Sequence, residues 1–110
     1  MAGYFELKVG KSGKYSFNLK SGNHQVILTS ESYESKAAAK NGIAAVQKNS
    51  SSDAKFDRRA AKNGEPYFVL KAGNGEVIGK SEMYSSKNSM EKGIASVVKN
   101  GGSKTVKEKE

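Results

Sequence analysis

Apolar and polar residues alternate along several short runs of the chain, which predicts β-strands with one buried face. From Tyr15 to Lys20, the residues Tyr, Phe and Leu take every second position. Phe5 to Val9 and Val26 to Leu28 are further apolar runs, and segments containing glycine separate all three. The first half of the chain therefore predicts three antiparallel strands joined by turns.

A different apolar spacing follows Ser35 and predicts a helix. Ala39, Ile43 and Val46 recur at intervals of four and three, which places them on one helical face. Ser35 stands where an N-cap side chain would accept a hydrogen bond from an unpaired backbone N–H. Gly42 lies inside this helix, where glycine costs about 1 kcal/mol relative to alanine. We therefore expect the helix to approach the sheet closely at Gly42.

The whole pattern occurs twice along the chain. Between Phe17–Asn49 and Phe68–Asn100, 18 of 33 aligned positions are identical. Such a repeat governs the fold prediction, because overlooking it leads to the wrong architecture. Two copies are too few for a solenoid, so the duplication predicts one compact intramolecular pseudo-dimer. Its units would be residues 1–55 and 56–110.

The ends of the predicted helices carry residues that tolerate a left-handed backbone. Asn49 ends the first helix, and Asn100 with two glycines ends the second. Beyond the second helix, the segment from Lys104 to Lys107 predicts a short strand that returns to the sheet. Residues 107–110 are expected to be frayed.

Four stretches of the chain, taken in order, resemble a known family. They are YSFNLKSGNHQVILTSESYESK and YFVLKAGNGEVIGKSEMYSSK, followed by NGIAAVQKN and KGIASVVKN respectively. This combination resembles the YegP-like family of small bacterial proteins, whose tandem domain has no established activity. The resemblance implies an α+β fold, in which two tandem β-β-β-α-β units form one continuous antiparallel sheet. It also implies two helices on one face, pseudo-two-fold symmetry and last strands exchanged between units.

Composition excludes several kinds of chemistry. The chain of 110 residues contains no cysteine, so disulfides, thiol catalysis and cysteine-bound zinc are ruled out. Its single histidine, His24, cannot form a site that needs several histidines, and no cofactor or metal is expected. The N-terminus lacks a signal-peptide pattern, and no apolar run is long enough to cross a bilayer. A cytoplasmic protein without membrane contact is the simplest interpretation.

The net charge of +8 raises the hypothesis of nucleic-acid binding. The charge is spread evenly, however, with +4 in residues 5–55 and +4 in residues 56–110. Only Arg58 and Arg59 are arginines, although base readout relies largely on Arg, Asn and Gln. A solvated lysine-rich surface is therefore the first interpretation, and nucleic-acid binding is the alternative.

Several residue patterns have both a catalytic and a structural interpretation. Serine followed by lysine occurs at the start of both predicted helices, but N-capping explains it better than a nucleophile pair. Glu31 and Glu82 could act as an acid–base pair only if the pseudo-symmetry brought them together. A contact with the helix start or with a lysine is the simpler role. Residues 22–24 and 73–75 join two strands, so they predict hairpin turns and not a phosphate-binding loop, with His24 exposed.

These observations favour a non-enzymatic interaction or structural module that is a monomer with internal symmetry. A protein partner is the first interpretation, sequence-independent binding of nucleic acid is the second, and an enzyme with a site between the units is the third. Candidate binding residues on a sheet face without helices are Tyr4, Tyr67, Lys20 and Lys71. A basic face with an exposed tyrosine would favour nucleic acid. An apolar patch there would favour a protein partner, and a deep polar pocket between the units would favour an enzyme.

Overall fold

The computed structural model describes residues 3–109 as seven strands, two α-helices and one short 3-10 helix. The strands are β1 (Tyr4–Val9), β2 (Tyr15–Lys20), β3 (Val26–Ser30), β4 (Phe56–Ala60), β5 (Pro66–Lys71), β6 (Val77–Lys80) and β7 (Val106–Lys109). The helices are α1 (Lys36–Asn49) and α2 (Lys87–Asn100), and the 3-10 helix is Asp53–Lys55. The three strands predicted for each unit are confirmed.

All seven strands form one sheet in the order β4-β5-β6-β3-β2-β1-β7. The two units meet where β3 pairs with β6, through Thr29 opposite Lys80 and Ser30 opposite Gly79. The predicted α+β class and the continuous sheet are therefore confirmed. The second unit's last strand, β7, pairs with β1 of the first unit, which is the exchange that the family resemblance implied.

The β1–β7 pair is parallel, so the expectation of a wholly antiparallel sheet is wrong at this edge. The end of α2 lies beside the start of β1, because the Asn100 side chain accepts a hydrogen bond from Gly3 N at 3.0 Å. Ser103 Oγ donates to Gly3 O at 2.6 Å. β7 therefore starts at the same end of the sheet as β1 and runs in the same direction.

The strand exchange is one-sided. After α1 the chain forms the 3-10 helix Asp53–Lys55 and then β4, which opens the second unit. No separate last strand therefore follows α1 in the described chain, and β4 ends the strand order. As a result, β7 covers the outer edge of β1, whereas β4 lies at the opposite edge of the sheet.

One apolar core lies between the helices and one face of the sheet. It contains Phe5, Leu7, Phe17, Leu19, Ile27, Leu28, Ala39, Ile43, Val46, Phe56, Phe68, Leu70, Ile78, Met90, Ile94 and Val97. The apolar stripes predicted for both helices belong to it. α1 packs on β2 of its own unit and also contacts β5 and β6, and α2 packs on β5 and contacts β2 and β3. Each helix therefore spans the boundary between the units.

The predicted helix starts are confirmed, and the helices end at Asn49 and Asn100 as predicted, but not through a left-handed backbone. Ser35 Oγ accepts from Ala38 N, and Ser86 Oγ accepts from Ser89 N, both at 3.1 Å. Asn49 and Asn100 keep a right-handed helical backbone, as do the residues that follow them. Both asparagines are buried, and their side-chain amides donate to backbone carbonyls one turn earlier at 2.8 Å. These hydrogen bonds hold the last turn in helical form.

The tail is more ordered than the sequence suggests. Residues 107–109 pair with residues 6–8 of β1 and are not frayed, whereas Glu110 lies outside the described residues. Phe5 N donates to Thr105 O at 2.9 Å, so the pairing begins just before β7. Glu108 forms ion pairs with Lys36 and Lys40 of α1. These contacts attach the tail to the first unit.

Candidate binding face of the sheet

The sheet face opposite the helices, called the open face here, is polar and continuous across both units. Successive side chains of a strand point to opposite faces, so the neighbours of core residues lie on the open face. Registered cross-strand partners form one row across all seven strands: Lys107, Glu6, Asn18, Thr29, Lys80, Val69 and Asp57. The register of β3 against β6 therefore joins the two units into a single surface.

Positive charge predominates on this face. Among the side chains that the structure describes, its cations are Lys8, Lys20, Arg59, Lys71, Lys80 and Lys107, and its carboxylates are Glu6 and Asp57. These eight groups have a net charge of +4. Sequence reasoning selected two of these six cations. The other four can be assigned to the open face only when the limits and the register of the strands are known.

One ion pair repeats at equivalent positions of the two units. Lys20 Nζ lies 3.2 Å from Glu6 Oε1, and Lys71 Nζ lies 3.4 Å from Asp57 Oδ2. Asp57 also accepts from Arg59 Nε at 2.9 Å. The hydrogen bond from Arg59 and then that from Lys71 lower the pKa of Asp57. Asp57 therefore stays ionised near neutral pH and holds Arg59 and Lys71 in place.

Tyr67 is the half-buried aromatic side chain of the open face. Lys80 Nζ lies 5.1 Å from its ring centroid, and Arg59 is its cross-strand partner on β4. A ring with cations on two sides can stack against a planar group while the cations contact nearby anions.

Tyr4 lies on the same face but is only 7% exposed, so the expectation that it is available for stacking is wrong. Lys107 Nζ lies 4.4 Å above its ring centroid, and its hydroxyl group is 2.9 Å from His24 Nδ1. The exchanged strand and the β2–β3 turn both cover the ring. Neither contact could be read from the local pattern around residue 4.

The structure brings the four candidate residues to one face but not to one point. Tyr4 and Lys20 are cross-strand partners on β1 and β2, whereas Tyr67 and Lys71 both lie on β5. β5 and β1 are four strand spacings apart in the sheet, or roughly 19 Å at about 4.8 Å per spacing. A ligand that contacts both groups must therefore be extended.

The other polar residues considered as catalytic candidates, His24, Glu31 and Glu82, do not form a catalytic group. His24 is exposed in a hairpin turn, as predicted, with φ of 69°, where the second unit has Gly75 with φ of 84°. Because β3 and β6 are antiparallel, Glu31 and Glu82 lie at opposite ends of the paired segment of β3 and β6, so the pseudo-symmetry does not bring the two glutamates together.

Within residues 3–109, no three His, Asp or Glu side chains are grouped as metal ligands. Neither described helix is long and apolar enough to span a bilayer.

Two units of three strands and a helix, joined in one sheet, define a tandem-repeat α+β protein. The family model described as "Domain of unknown function (DUF1508)" matches residues 11–57 and residues 61–108. The chain therefore belongs to the DUF1508 family and carries the domain twice.

Bacterial relatives and solved structures match the chain over nearly its whole length. A UPF0339 protein of Acinetobacter baylyi is 56% identical over 108 residues, which are 98% of this chain and 97% of the relative. The UPF0339 protein YegP of Yersinia pestis is 52% identical over 106 residues, 96% of this chain and 95% of the relative. The solution NMR structure of yegP from E. coli, a protein of unknown function, has a TM-score of 0.93 at 49% identity. That match covers 98% of this chain and 93% of the solved one.

Proposed function

We propose that this protein is a non-enzymatic interaction module of the cytoplasm, and that its open face binds single-stranded nucleic acid without sequence preference. The observation that carries the proposal is the composition of this face: its described side chains include six cations and two carboxylates spread across the sheet, and two of the cations, Arg59 and Lys80, flank the half-buried Tyr67. Single-stranded nucleic acid binds to sheets through lysines that contact phosphates and aromatic rings that stack on bases.

The open face is poorly suited to an apolar protein partner. Its aliphatic residues are Val69, which is only 3% exposed, and the half-buried Val26 and Val77, the cross-strand partners of Lys20 and Lys71. The exposed large apolar side chains of the described chain are Val9, Met83, Val98 and Val106. Val9 and Val106 have the strand parity of the core side, Val98 is on α2, and Met83 is in the segment before α2. An exposed apolar patch is therefore missing from the open face within residues 3–109.

The boundary between the units offers little for catalysis. One polar groove between them is lined by Ser21, Gly22, Asn23, Gln25, Lys92, Ala95, Ser96, Lys99 and Asn100, a set with two lysines but no carboxylate or imidazole. A smaller groove is lined by Gln25, Val26, Ile27, Glu82 and Tyr84. Glu82 is the single carboxylate of this lining, and none of the other four side chains can act with it as a nucleophile–base pair at neutral pH. This composition supports a binding role over an enzymatic one.

Charge alone does not select the open face, because the two helices also carry exposed lysines. The test therefore compares two variants with the same change in net charge. Lys8→Ser/Lys80→Ser alters the open face, and Lys48→Ser/Lys92→Ser alters the helices. Fluorescence anisotropy of a labelled oligothymidine measures binding at several salt concentrations. The salt slope should fall by about 0.7 for each phosphate that the variant no longer neutralises.

We expect the open-face variant to bind several-fold more weakly than the parent chain, with a smaller salt slope. The helix variant should bind almost as well as the parent. Equal weakening by both variants would mean that only overall charge attracts the oligonucleotide. Equal weakening, or no binding by the parent chain at low salt, would contradict the proposed function.

A further inference from the structure

The internal repeat makes the two sheet edges equivalent, but only one of them is covered. β1 opens the first unit and pairs with β7 along its outer edge, whereas β4 opens the second unit and ends the sheet. The segment that could have covered β4 is used instead as the connection between the units. Within residues 3–109, the outer edge of Phe56–Ala60 therefore has no strand beside it. This edge is called the vacant edge.

The backbone of the vacant edge presents hydrogen-bonding groups to the outside. In the first unit, Phe5 N donates outward to Thr105 O, so alternate residues of β1 face β7. The equivalent outward residues of β4 are Phe56, Arg58 and Ala60. Phe56 N already donates to Asp53 O. The N–H groups of Arg58 and Ala60 therefore remain directed toward a position that a strand could occupy.

Both arginines of the chain lie on this edge. Arg58 has the parity of the helix side and donates to Glu91 and to Asp53, at 2.5 and 2.9 Å. Arg59 lies on the open face and donates to Asp57. Their side chains remain 35% and 41% exposed. Exposed ion pairs are weak, so these guanidinium groups can exchange or share carboxylates with an incoming chain.

The covered edge shows what a strand in this position contacts. Glu108 of β7 lies opposite Leu7 and is bound by Lys36 and Lys40 of α1. At the vacant edge the residue equivalent to Leu7 is Arg58, and the residue equivalent to Lys36 is Lys87. The residue equivalent to Lys40 is Glu91, which already accepts from Arg58, so an incoming carboxylate would contact Lys87 and share or replace Glu91 on Arg58.

The apolar contact that β7 makes with α1 also has a counterpart at the vacant edge. Val106 of β7 lies opposite Phe5 and lines a groove with Ile43 and Gln47 of α1. In the second unit the residue at the place of Gln47 is Val98, which is 40% exposed. An apolar residue of an added strand, placed opposite Phe56, would cover Val98.

We propose that the vacant edge binds an extended acidic segment of a partner protein, which adds to the sheet parallel to β4. The segment carries an apolar residue opposite Phe56 and carboxylates opposite Arg58 and Arg59. Addition of a strand to an exposed sheet edge supplies backbone hydrogen bonds, and the side-chain positions supply selectivity. This interaction uses the backbone of the edge and the helix side, and it shares only Arg59 with the proposed nucleic-acid contact.

A second copy of the chain fits this edge less well than an acidic segment. Two antiparallel β4 strands centred on Arg58 would place Arg58 of each copy directly opposite the other. Like charges at directly opposite positions destabilise a strand pair. Charge complementarity therefore favours a different, acidic partner.

The probe is the synthetic peptide Thr-Val-Lys-Glu-Glu-Val, which keeps the start of the β7 sequence and is acidic at the two places opposite the arginines. The control peptide, Thr-Val-Lys-Lys-Lys-Val, has lysine at those two places. Each is titrated to the order of 1 mM into the full isotope-labelled chain, and the amide signals are followed by NMR. We expect shifts in β4 and the first turns of α2, with the acidic peptide binding at least about tenfold more tightly.

Two proline variants test the strand addition itself. Ala60→Pro removes an outward N–H without removing a hydrogen bond to β5, and we expect it to abolish binding of the acidic peptide. Val9→Pro, at the equivalent position beyond the β1–β7 pairing, should leave that binding unchanged. Equal binding of the two peptides would overturn the proposal. Amide signals that shift only at lysines away from β4, or no binding at all, would overturn it too. Concentration-dependent shifts of β4 without peptide would assign the edge to a second copy instead and overturn it too.

Discussion

The ring of Tyr84 lies directly against the backbone of Gly93 in α2. A methyl group on Gly93 would be 2.6 Å from Tyr84 Cζ and 3.3 Å from Phe68 Cε2. The ring cannot retreat easily, because it stacks on Phe68 with centroids 6.2 Å apart and planes at 11°. Tyr33 and Gly42 repeat the arrangement in the first unit. The glycine therefore creates the space that the tyrosine fills.

We expect Gly93→Ala to destabilise the protein by about 1–3 kcal/mol, although alanine favours helices, because the added group overpacks the contact with Tyr84. Gly93→Leu should be more severe. Urea unfolding followed by circular dichroism gives the free energies of unfolding. Gly102→Ala is the control, since no atom lies within 4 Å of a methyl group at that position. An unchanged unfolding midpoint in Gly93→Leu would contradict the packing of α2.

The same tyrosines make stability sensitive to alkaline pH. Burial, followed by nearby glutamates, raises the pKa of Tyr33 and of Tyr84 above the ordinary value of 10.0. Above pH 10 the unfolded chain therefore loses the two tyrosine protons before the folded chain does. The stability that these tyrosines contribute is fully present below pH 10 and is lost as the pH rises through their folded pKa values. Tyr33→Phe/Tyr84→Phe should therefore lose less stability than the parent between about pH 9 and pH 11. Urea midpoints at several pH values measure this, and parallel losses in both proteins would contradict it.

Tyr67 gives a test of stacking that is separate from charge. If bases stack on its ring, Tyr67→Leu should weaken oligothymidine binding by about 1–3 kcal/mol while the salt slope stays the same. The control is Tyr15→Leu, because Tyr15 packs against the core on the other side of the sheet. Anisotropy titrations compare both variants with the parent chain. Full affinity in a folded Tyr67→Leu protein would remove this ring from the binding face.

Asn100 joins the end of α2 to the start of β1. Its side chain accepts from Gly3 N at 3.0 Å and donates to Ser96 O at 2.8 Å, in a buried position. Asn100→Ala would leave the Gly3 N–H buried without this partner, and we expect a loss of about 1–3 kcal/mol. Asn88→Ala, on the exposed side of α2, is the matched control and should change stability little. Thermal or urea unfolding of both variants decides between a structural role and a neutral one.

The pairing of β7 with β1 leads to a prediction about the two halves. We propose that residues 1–55 and 56–110 are units that depend on each other for stability. Residues 1–52 would lack the strand that covers β1, and residues 53–110 would lose the partner strand of β7. Each half, expressed alone, should therefore be unfolded or form a homodimer that imitates the internal symmetry. Sedimentation and circular dichroism measure this, and a folded monomeric half would show two independent domains.

The candidate binding face could be predicted only in part. Strand alternation placed Lys20, Lys71, Tyr4 and Tyr67 on a face without helices, because local periodicity is set by the backbone itself. The exposure of Tyr4 could not be predicted, since Lys107 covers it from a position about a hundred residues away in the chain. The contact of Lys80 with the ring of Tyr67 could not be predicted either, because it depends on how β5 pairs with β6.

The order of residues was enough to establish the duplication, the three strands and one helix of each unit, the capping serines and the apolar helix faces. The duplication is visible when the chain is compared with itself, and the other features depend on short-range spacing, which a single copy already displays. Three features emerged only from the folded chain: β7 runs parallel to β1, Asn49 and Asn100 are buried hydrogen-bonding residues, and β4 is left as the vacant edge. These features depend on where distant segments meet. The direction of β7, for example, follows from the end of the sheet at which α2 finishes, and no local pattern in residues 106–109 records that position.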